Sequence, residues 1–453
     1  MSGSAHRRPL PAAPARRGWC PGLARPMPTG DGLLARVHPP LGILTLQQAR
    51  AVAEGARRFG NGHLDLTARA NIQIRGVSEA TRTALAHLLT GAGLGDVRAD
   101  GGPQRLTLTS PLAGRDPAET IDVPGLARAI EAAGLGVPGL PPKTLVAVEG
   151  RPGAALPEAD CLVFSRAEGG VGLAVATERG SCELVACAEQ DAPAVMAALL
   201  TAFVRTGRRR MRDVSAAELR ALAEVLPPDV LARVHSDARE RRRSGISQGA
   251  LPFSPPAGLG RIAPSFWMLA LEAPFGRCTA DALDRLADYA SRLSAREIRL
   301  SPARGFVLLL PPDAPVARLA DLSENFIVAP DDPRRGVAAC TGAPACASGS
   351  TPTLADAARL AEVFRPLAAR GRSAHVSGCA KGCARPGPAD VTLVGRDGLY
   401  GAVIGGAPGD EPAIHLPIEA VLERIGRADT VGLAAAFAPD CTITEGGRNR
   451  RPT

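Results

Sequence analysis

Four of the ten cysteines stand in two short pairs. Cys340-Thr341-Gly342-Ala343-Pro344-Ala345-Cys346 is a C-x5-C, and Cys379-Ala380-Lys381-Gly382-Cys383 is a C-x3-C. Four soft sulfur ligands suit either tetrahedral zinc or an iron–sulfur cluster. Zinc favours tight C-x2-C knuckles because both sulfurs of a pair must reach one small ion, so the wider spacing points to a [4Fe–4S] cluster held by Cys340, Cys346, Cys379 and Cys383. The other six, Cys20, Cys161, Cys182, Cys187, Cys278 and Cys441, are scattered and read as small buried apolar residues. Lys143 and Lys381 are the only lysines among 53 basic residues, and Lys381 lies between two of the paired cysteines. A lysine kept where arginine is the rule draws attention, because the two differ in shape, hydration and ability to lose a proton.

The elements that must position these residues are written twice. A strand at Gly32–Val37, a helix from Thr45 to Phe59 and strands near 64–67 and 71–75 recur as a strand at Phe266–Leu271, a helix from Thr279 to Leu293 and strands near 298–301 and 306–309. Leu66-Thr67-Ala68-Arg69 matches Leu300-Ser301-Pro302-Ala303-Arg304 with one inserted residue. Further on, Ala159-Asp160-Cys161-Leu162-Val163 pairs with Ala389-Asp390-Val391-Thr392-Leu393, and Gly170–Val175 pairs with Gly398–Val403. The offset is 234 at Leu66 and 230 at Asp160, too constant for chance. Each cysteine pair falls on a loop, the first before a helix over 354–369 and the second after a strand at Ala374–Ser377. The equivalent loop of the first copy, Thr109–Gly114, has no cysteine, and Gly150-Arg151-Pro152-Gly153 stands roughly where Cys379–Cys383 stand later. The first copy is thereby freed to hold something else.

This predicts an internally duplicated α+β chain. A tail over 1–18 precedes a ferredoxin-like module (19–98) and an α/β module without a cluster (99–243). A linker (244–260), a second ferredoxin-like module (261–328) and a cluster-bearing α/β module (329–445) follow. The composition, 45% hydrophobic and 22% charged, excludes collagen, coiled-coil rod and disordered chain. No apolar run reaches the ~18 residues of a bilayer span, and the opening residues lack the apolar stretch of a secretion signal. A cytoplasmic protein is expected. A net charge of +8 suits an acidic ligand, whereas 3% aromatics make a nucleic-acid platform a poor fit. The arginine-rich stretches Arg205–Arg212 and Arg239–Arg243 read as solvated faces. Gly134-Leu135-Gly136-Val137-Pro138-Gly139 follows a helical pattern and not a strand, so no nicotinamide site is expected there.

These features resemble the nitrite and sulfite reductases, which couple a [4Fe–4S] cluster to sirohaem. The resemblance spans about Cys20 to Cys441. It is closest to an oxygen-dependent branch of aerobic cobalamin biosynthesis, through Trp19-Cys20-Pro21-Gly22-Leu23, Thr29–Leu34, Ser110–Gly114, Leu140–Lys143 and Ser377–Cys383. That branch implies conversion of precorrin-3A to precorrin-3B with O2, by meso hydroxylation and γ-lactone closure. It also implies a separate NADH-dependent reductase and a mononuclear non-haem iron. The alternative is a sirohaem-dependent nitrite or sulfite reductase. Two departures favour the oxygen-dependent branch. Leu145 stands where the reductases carry a second lysine, and Ala380-Lys381 replaces their usual Pro-Asn. A polycarboxylate tetrapyrrole needs fixed cations, so Arg69, Arg75, Arg105, Lys143 and Lys381 are expected to bind the substrate. Ligands of the second iron are not legible: His63-Leu64-Asp65 and His235-Ser236-Asp237 have no evident third partner, and His38 and His375 stand singly.

Overall fold

The computed structural model describes residues 19–224, 252–264, 266–314 and 320–438. The tail, residues 244–251 of the linker, Arg239–Arg243, the His235–Asp237 pair and Cys441 lie outside the described residues. The chain divides into two compact units, one running to Pro330 and the other from Asp331 onward.

The first unit holds three five-stranded sheets. Sheet one runs β1 (Met27–Thr29), β2 (Gly32–Val37), β5 (Ile72–Val77), β4 (His63–Leu66) and β13 (Arg277–Thr279). Sheet two runs β11 (Gly258–Ala263), β12 (Phe266–Glu272), β15 (Gly305–Leu310), β14 (Glu297–Ser301) and β3 (Ile43–Thr45). Each copy therefore gives its third strand to the other copy's sheet. The sequence device is repeated 234 residues apart: Pro40-Leu41-Gly42-Ile43-Leu44-Thr45 and Pro274-Phe275-Gly276-Arg277-Cys278-Thr279. Leu41 and Phe275 take φ of 54° and 56°, Gly42 and Gly276 follow at 73° and 78°, and the chain swings across. The three-residue strand then ends on a threonine that caps the next helix. Thr45 accepts from the Gln48 amide at the start of Leu46–Phe59, and Thr279 from the Ala282 amide at the start of Ala280–Arg292. Both helices bury alanines and aliphatics against the sheets.

The hairpin turns after β4 and β14 refine the repeat. Ala70 and Arg304 both adopt positive φ, 50° and 59°, and their amides donate to Thr67 O and Ser301 O. The copies therefore align with no inserted residue: the counterpart of Arg69 is Ala303, and that of Arg304 is Ala70. The expected insertion is corrected here by the shared turn geometry.

Sheet three runs β10 (Gly180–Cys187), β9 (Val171–Thr177), β8 (Cys161–Ser165), β7 (Val146–Glu149) and β6 (Thr107–Thr109). In the second unit, β16 (Val337–Ala339), β17 (Ala374–Ser377), β18 (Val391–Arg396), β19 (Leu399–Ile404) and β20 (Ile414–Leu416) form a sheet of the same topology. In both, three parallel strands are followed by two antiparallel ones. The matched aspartates explain why that motif survives duplication. Asp160 accepts from the Leu145 amide just before β7, and Asp390 from the Ser373 amide just before β17. Each also holds an arginine, Arg210 or Arg372, at 2.9 Å. Among the described residues, no helix is long and apolar enough to cross a membrane.

One partly buried contact fastens an exchanged strand. Arg277 of β13 stands opposite Asp65 of β4 and donates to it twice, at 2.6 and 3.0 Å. Replacing Asp65 by alanine removes both of these bonds from the partly buried guanidinium. The expected loss is about 1.5–3 kcal/mol, read as a lower urea midpoint with an unchanged m-value.

Candidate functional site

In the second unit the cysteine loops leave the C-terminal ends of two adjacent parallel strands, the usual ligand-binding edge of such sheets. β16 delivers Cys340, whose amide donates to Val376 O of β17 at 3.2 Å. β17 runs on through Gly378 to Cys379, and the Gly378 amide donates to Cys340 Sγ at 3.1 Å. The loop between Cys340 and Cys346 is drawn in by the amides of Cys346, to Gly342 O at 2.7 Å, and Ala343, to Thr351 O at 2.8 Å. Gly378 keeps this approach close: a Cβ would lie 3.2 Å from the Cα atoms of both Gly342 and Gly349. Thr353 Oγ1 ties the start of the helix Thr353–Ala369 to Cys340 O at 2.5 Å, and Ser377 Oγ donates to Cys379 O at 2.7 Å.

The four sulfurs share one electrostatic neighbourhood. Burial pushes the Cys379 and Cys383 thiols up, as do the charges of the other paired cysteines, while Lys381 pulls both down. Among the described residues no three His, Cys, Asp or Glu side chains are close enough to chelate a single ion. Four thiols that feel one another's charge, with a main-chain amide donating to one sulfur, are compatible with an iron–sulfur cluster. The same test fails for a mononuclear iron. Asp65 is taken up by Arg277 and Arg75, His375 is wholly buried on β17, and the described residues offer no three-ligand set. The expectation of that iron has no support in these residues.

In the first copy the place of the cysteine loops is filled. Strand pairing makes Ser110 and Asp116 the counterparts of Cys340 and Cys346, and Arg151 that of Cys379. Arg151 donates to Glu149 at 2.9 and 2.7 Å and stands 3.7 Å from Asp116. An ion-paired knot thus occupies the place of thiols. A cavity of about 260 Å³ lies alongside, between this loop, Ile43 and Arg299. It falls below the ~300–1,000 Å³ of ordinary ligand pockets.

The expected substrate cations separate into groups. Arg69, Arg105 and Lys143 come together: Arg69 Nη2 donates to Lys143 O at 2.7 Å, and Arg105 donates to Pro39 O and Ala70 O, both at 3.0 Å, and to Arg69 O. Arg105 is buried and engaged with main-chain carbonyls, so it clamps the turn that presents Arg69. Burial lowers both guanidinium groups to about 10. Arg75 is a correction. It is buried against Asp31, at 3.0 and 2.6 Å, and Asp65, at 3.4 Å, so its fork is already filled by carboxylates of its own chain. Lys143 is exposed, whereas Leu145, two residues on, faces the core. Lys381 lies in the second unit, beside the thiols.

Sequence reading missed Arg36 and Arg210, which both bear on Arg69. On β2, Leu33, Ala35 and Val37 enter the core, so Arg36 and His38 lie on the opposite face. That alternation was the available signal. The G-x-G-x-x-G stretch begins at the C-terminal end of the helix Val123–Leu135 and follows no strand.

A family profile described as the nitrite/sulfite reductase ferredoxin-like half domain matches residues 25–92. A precorrin-3B synthase of Sinorhizobium sp is 34% identical over 431 residues, 92% of this chain and 89% of that protein. The chain belongs to the precorrin-3B synthase family. A ferredoxin–nitrite reductase of Synechococcus elongatus is 28% identical over 405 residues, 83% of this chain and 78% of the relative. The solved structure of the Mycobacterium tuberculosis NirA protein shares the fold, with a TM-score of 0.66 at 22% identity over 87% of this chain and 80% of that one. Membership of the precorrin-3B synthase family makes the chain an enzyme on a nitrite/sulfite-reductase scaffold.

The ion-paired knot yields a pH test. Glu119 accepts from the Gly114 amide at 2.8 Å, and burial, with Asp116 and Glu149 nearby, raises its carboxyl to about 7. The folded state then holds a proton that the unfolded state releases, so stability falls as pH rises from about 4.5 to about 7. Glu119→Gln should flatten that fall in urea melts taken across the window.

Proposed function

We propose that the chain is an oxygen-dependent monooxygenase of aerobic cobalamin biosynthesis that converts precorrin-3A to precorrin-3B. In this reading it hydroxylates a meso carbon and a ring A acetate closes a γ-lactone. The observation that carries the proposal is the excess of guanidinium around Arg69. Arg36, Arg69, Arg105 and Arg210 share that neighbourhood with two carboxylates, Asp160, held by Arg210, and Glu131, which acts on Arg105. Such a surplus calls for an anionic ligand with several carboxylates. Arg69 and Arg36 would take carboxylate arms, Arg105 would hold the turn that aims Arg69, and Lys143 would add a point charge. The family relationship supplies the substrate class, and Leu145, turned into the core, removes the cation that a sirohaem reductase would be expected to keep.

Cys340, Cys346, Cys379 and Cys383 would hold a [4Fe–4S] cluster, whose chemistry is one-electron transfer. The Gly378 amide and Lys381 would offset the charge of the thiolates. Dioxygen reacts with a closed-shell macrocycle only when electrons arrive singly, so a relay of this kind suits the reaction. The electrons would come from a separate NADH-dependent reductase. A cytoplasmic setting, in which thiols stay reduced, fits the free cysteines.

Turnover under labelled O2 should place one labelled oxygen atom in the product, and product without label overturns the reading. A strong Soret band in the purified protein would restore the sirohaem alternative. Arg69→Ala should weaken precorrin-3A binding by about 1.5–3 kcal/mol, roughly 10- to 150-fold in Kd, measured by titration. Cys379→Ser should abolish iron and sulfide content together with activity.

A further inference from the structure

Cys20 does not stand as an isolated thiol. Its Sγ lies 3.7 Å from His38 Nε2 and 3.8 Å from Arg36 Nη1. The two partners come from one face of β2 and its continuation, and Cys20 is brought to them by a main-chain bond from its amide to Gly101 O at 3.4 Å. Arg36 Nε is sealed from solvent and has no hydrogen-bond partner. Burial, then the charges of Arg36 and Arg105, drive His38 well below its ordinary range, so it is a neutral imidazole whose Nε2 faces the sulfur.

We propose that Cys20 is an oxidant-reactive thiol, set in a Cys–His–Arg cluster, that hydrogen peroxide converts to a sulfenate. The sulfur attacks one peroxide oxygen, the O–O bond breaks, and sulfur is oxidised by two electrons. The departing hydroxide takes the thiol proton, passed by way of the His38 ring, and leaves as water; the product is the sulfenic acid, and its ionisation to sulfenate releases one further proton to solvent. The new S–O bond places an oxygen acceptor beside the guanidinium whose Nε lacks one, and an ionised acceptor makes the stronger hydrogen bond. Thiols become reactive next to cationic and basic groups and inert in apolar surroundings. The other non-cluster thiols of the described residues show the contrast. Cys161, Cys187 and Cys278 are buried, and burial pushes each up. Cys182 is partly exposed but is pushed up by burial and by Glu183. The cation-rich surroundings that suit a sulfenate also oppose a bound metal cation at the Cys20–His38 pair. The inference shares Arg36 with the tetrapyrrole reading, but its test needs no substrate.

The test treats the full-length, cluster-reconstituted protein with hydrogen peroxide, traps sulfenate with dimedone and follows the Cys20 and Cys182 peptides by mass spectrometry. Cys20 should be labelled about tenfold faster than Cys182. Arg36→Gln and His38→Asn should each slow Cys20 labelling by a similar factor. Equal rates at Cys20 and Cys182 in the unaltered protein would overturn the proposal, and that comparison does not depend on any variant folding. Either variant labelling Cys20 at the unaltered rate would overturn it as well.

Discussion

The reciprocal gift of a three-residue strand is the constraint on which the first unit depends. Ile43–Thr45 completes the sheet of the second copy, and Arg277–Thr279 completes that of the first. Neither ferredoxin-like copy has a finished sheet of its own. The same three residues end in the threonine that caps the following helix, so strand, cap and helix are placed by one turn. Ion pairs between the two helices, such as Arg57 with Asp281 at 2.9 Å, are exposed and add little to this.

On that shared frame the two copies have diverged in chemistry more than in shape. A row crossing sheet one reads Arg36, Gln73, Asp65 and Arg277, while the matching row of sheet two reads Ala270, Val307, Arg299 and Ile43. The second row is mostly apolar, and Leu112 packs against it. Its lone arginine is satisfied by Glu297 and by the carbonyls of Pro111 and Ala113. The α/β modules diverge in the opposite direction, thiols lining the loops of the later one and an Arg151–Asp116–Glu149 knot filling the earlier. The guanidinium cluster and the paired thiols have thus been sorted onto different copies.

Much of this was legible in the residues. Gly32–Val37 and Ala374–Ser377 were found to the residue because alternation or a β-branched run marks them, and the cysteine loops followed from spacing alone. The exchanged strands were not found, because three residues carry no period, and their partners lie more than 200 positions away. Arg75 was misread for a related reason: a one-dimensional reading cannot show that Asp31 and Asp65 already fill its fork. Arg36 was overlooked although its strand alternates, since an arginine in a chain rich in them attracts no notice.

Strand exchange also sets a schedule for synthesis. Strand β4 leaves the ribosome with its outer edge unpaired, and the segment that covers it follows about 200 residues later, roughly 10–40 s at ordinary elongation rates. A bare edge held that long invites pairing with a neighbouring chain. Asp65, near the middle of β4, puts a carboxylate on that edge during the interval, so the residue that later anchors Arg277 would first act as a guard against aggregation.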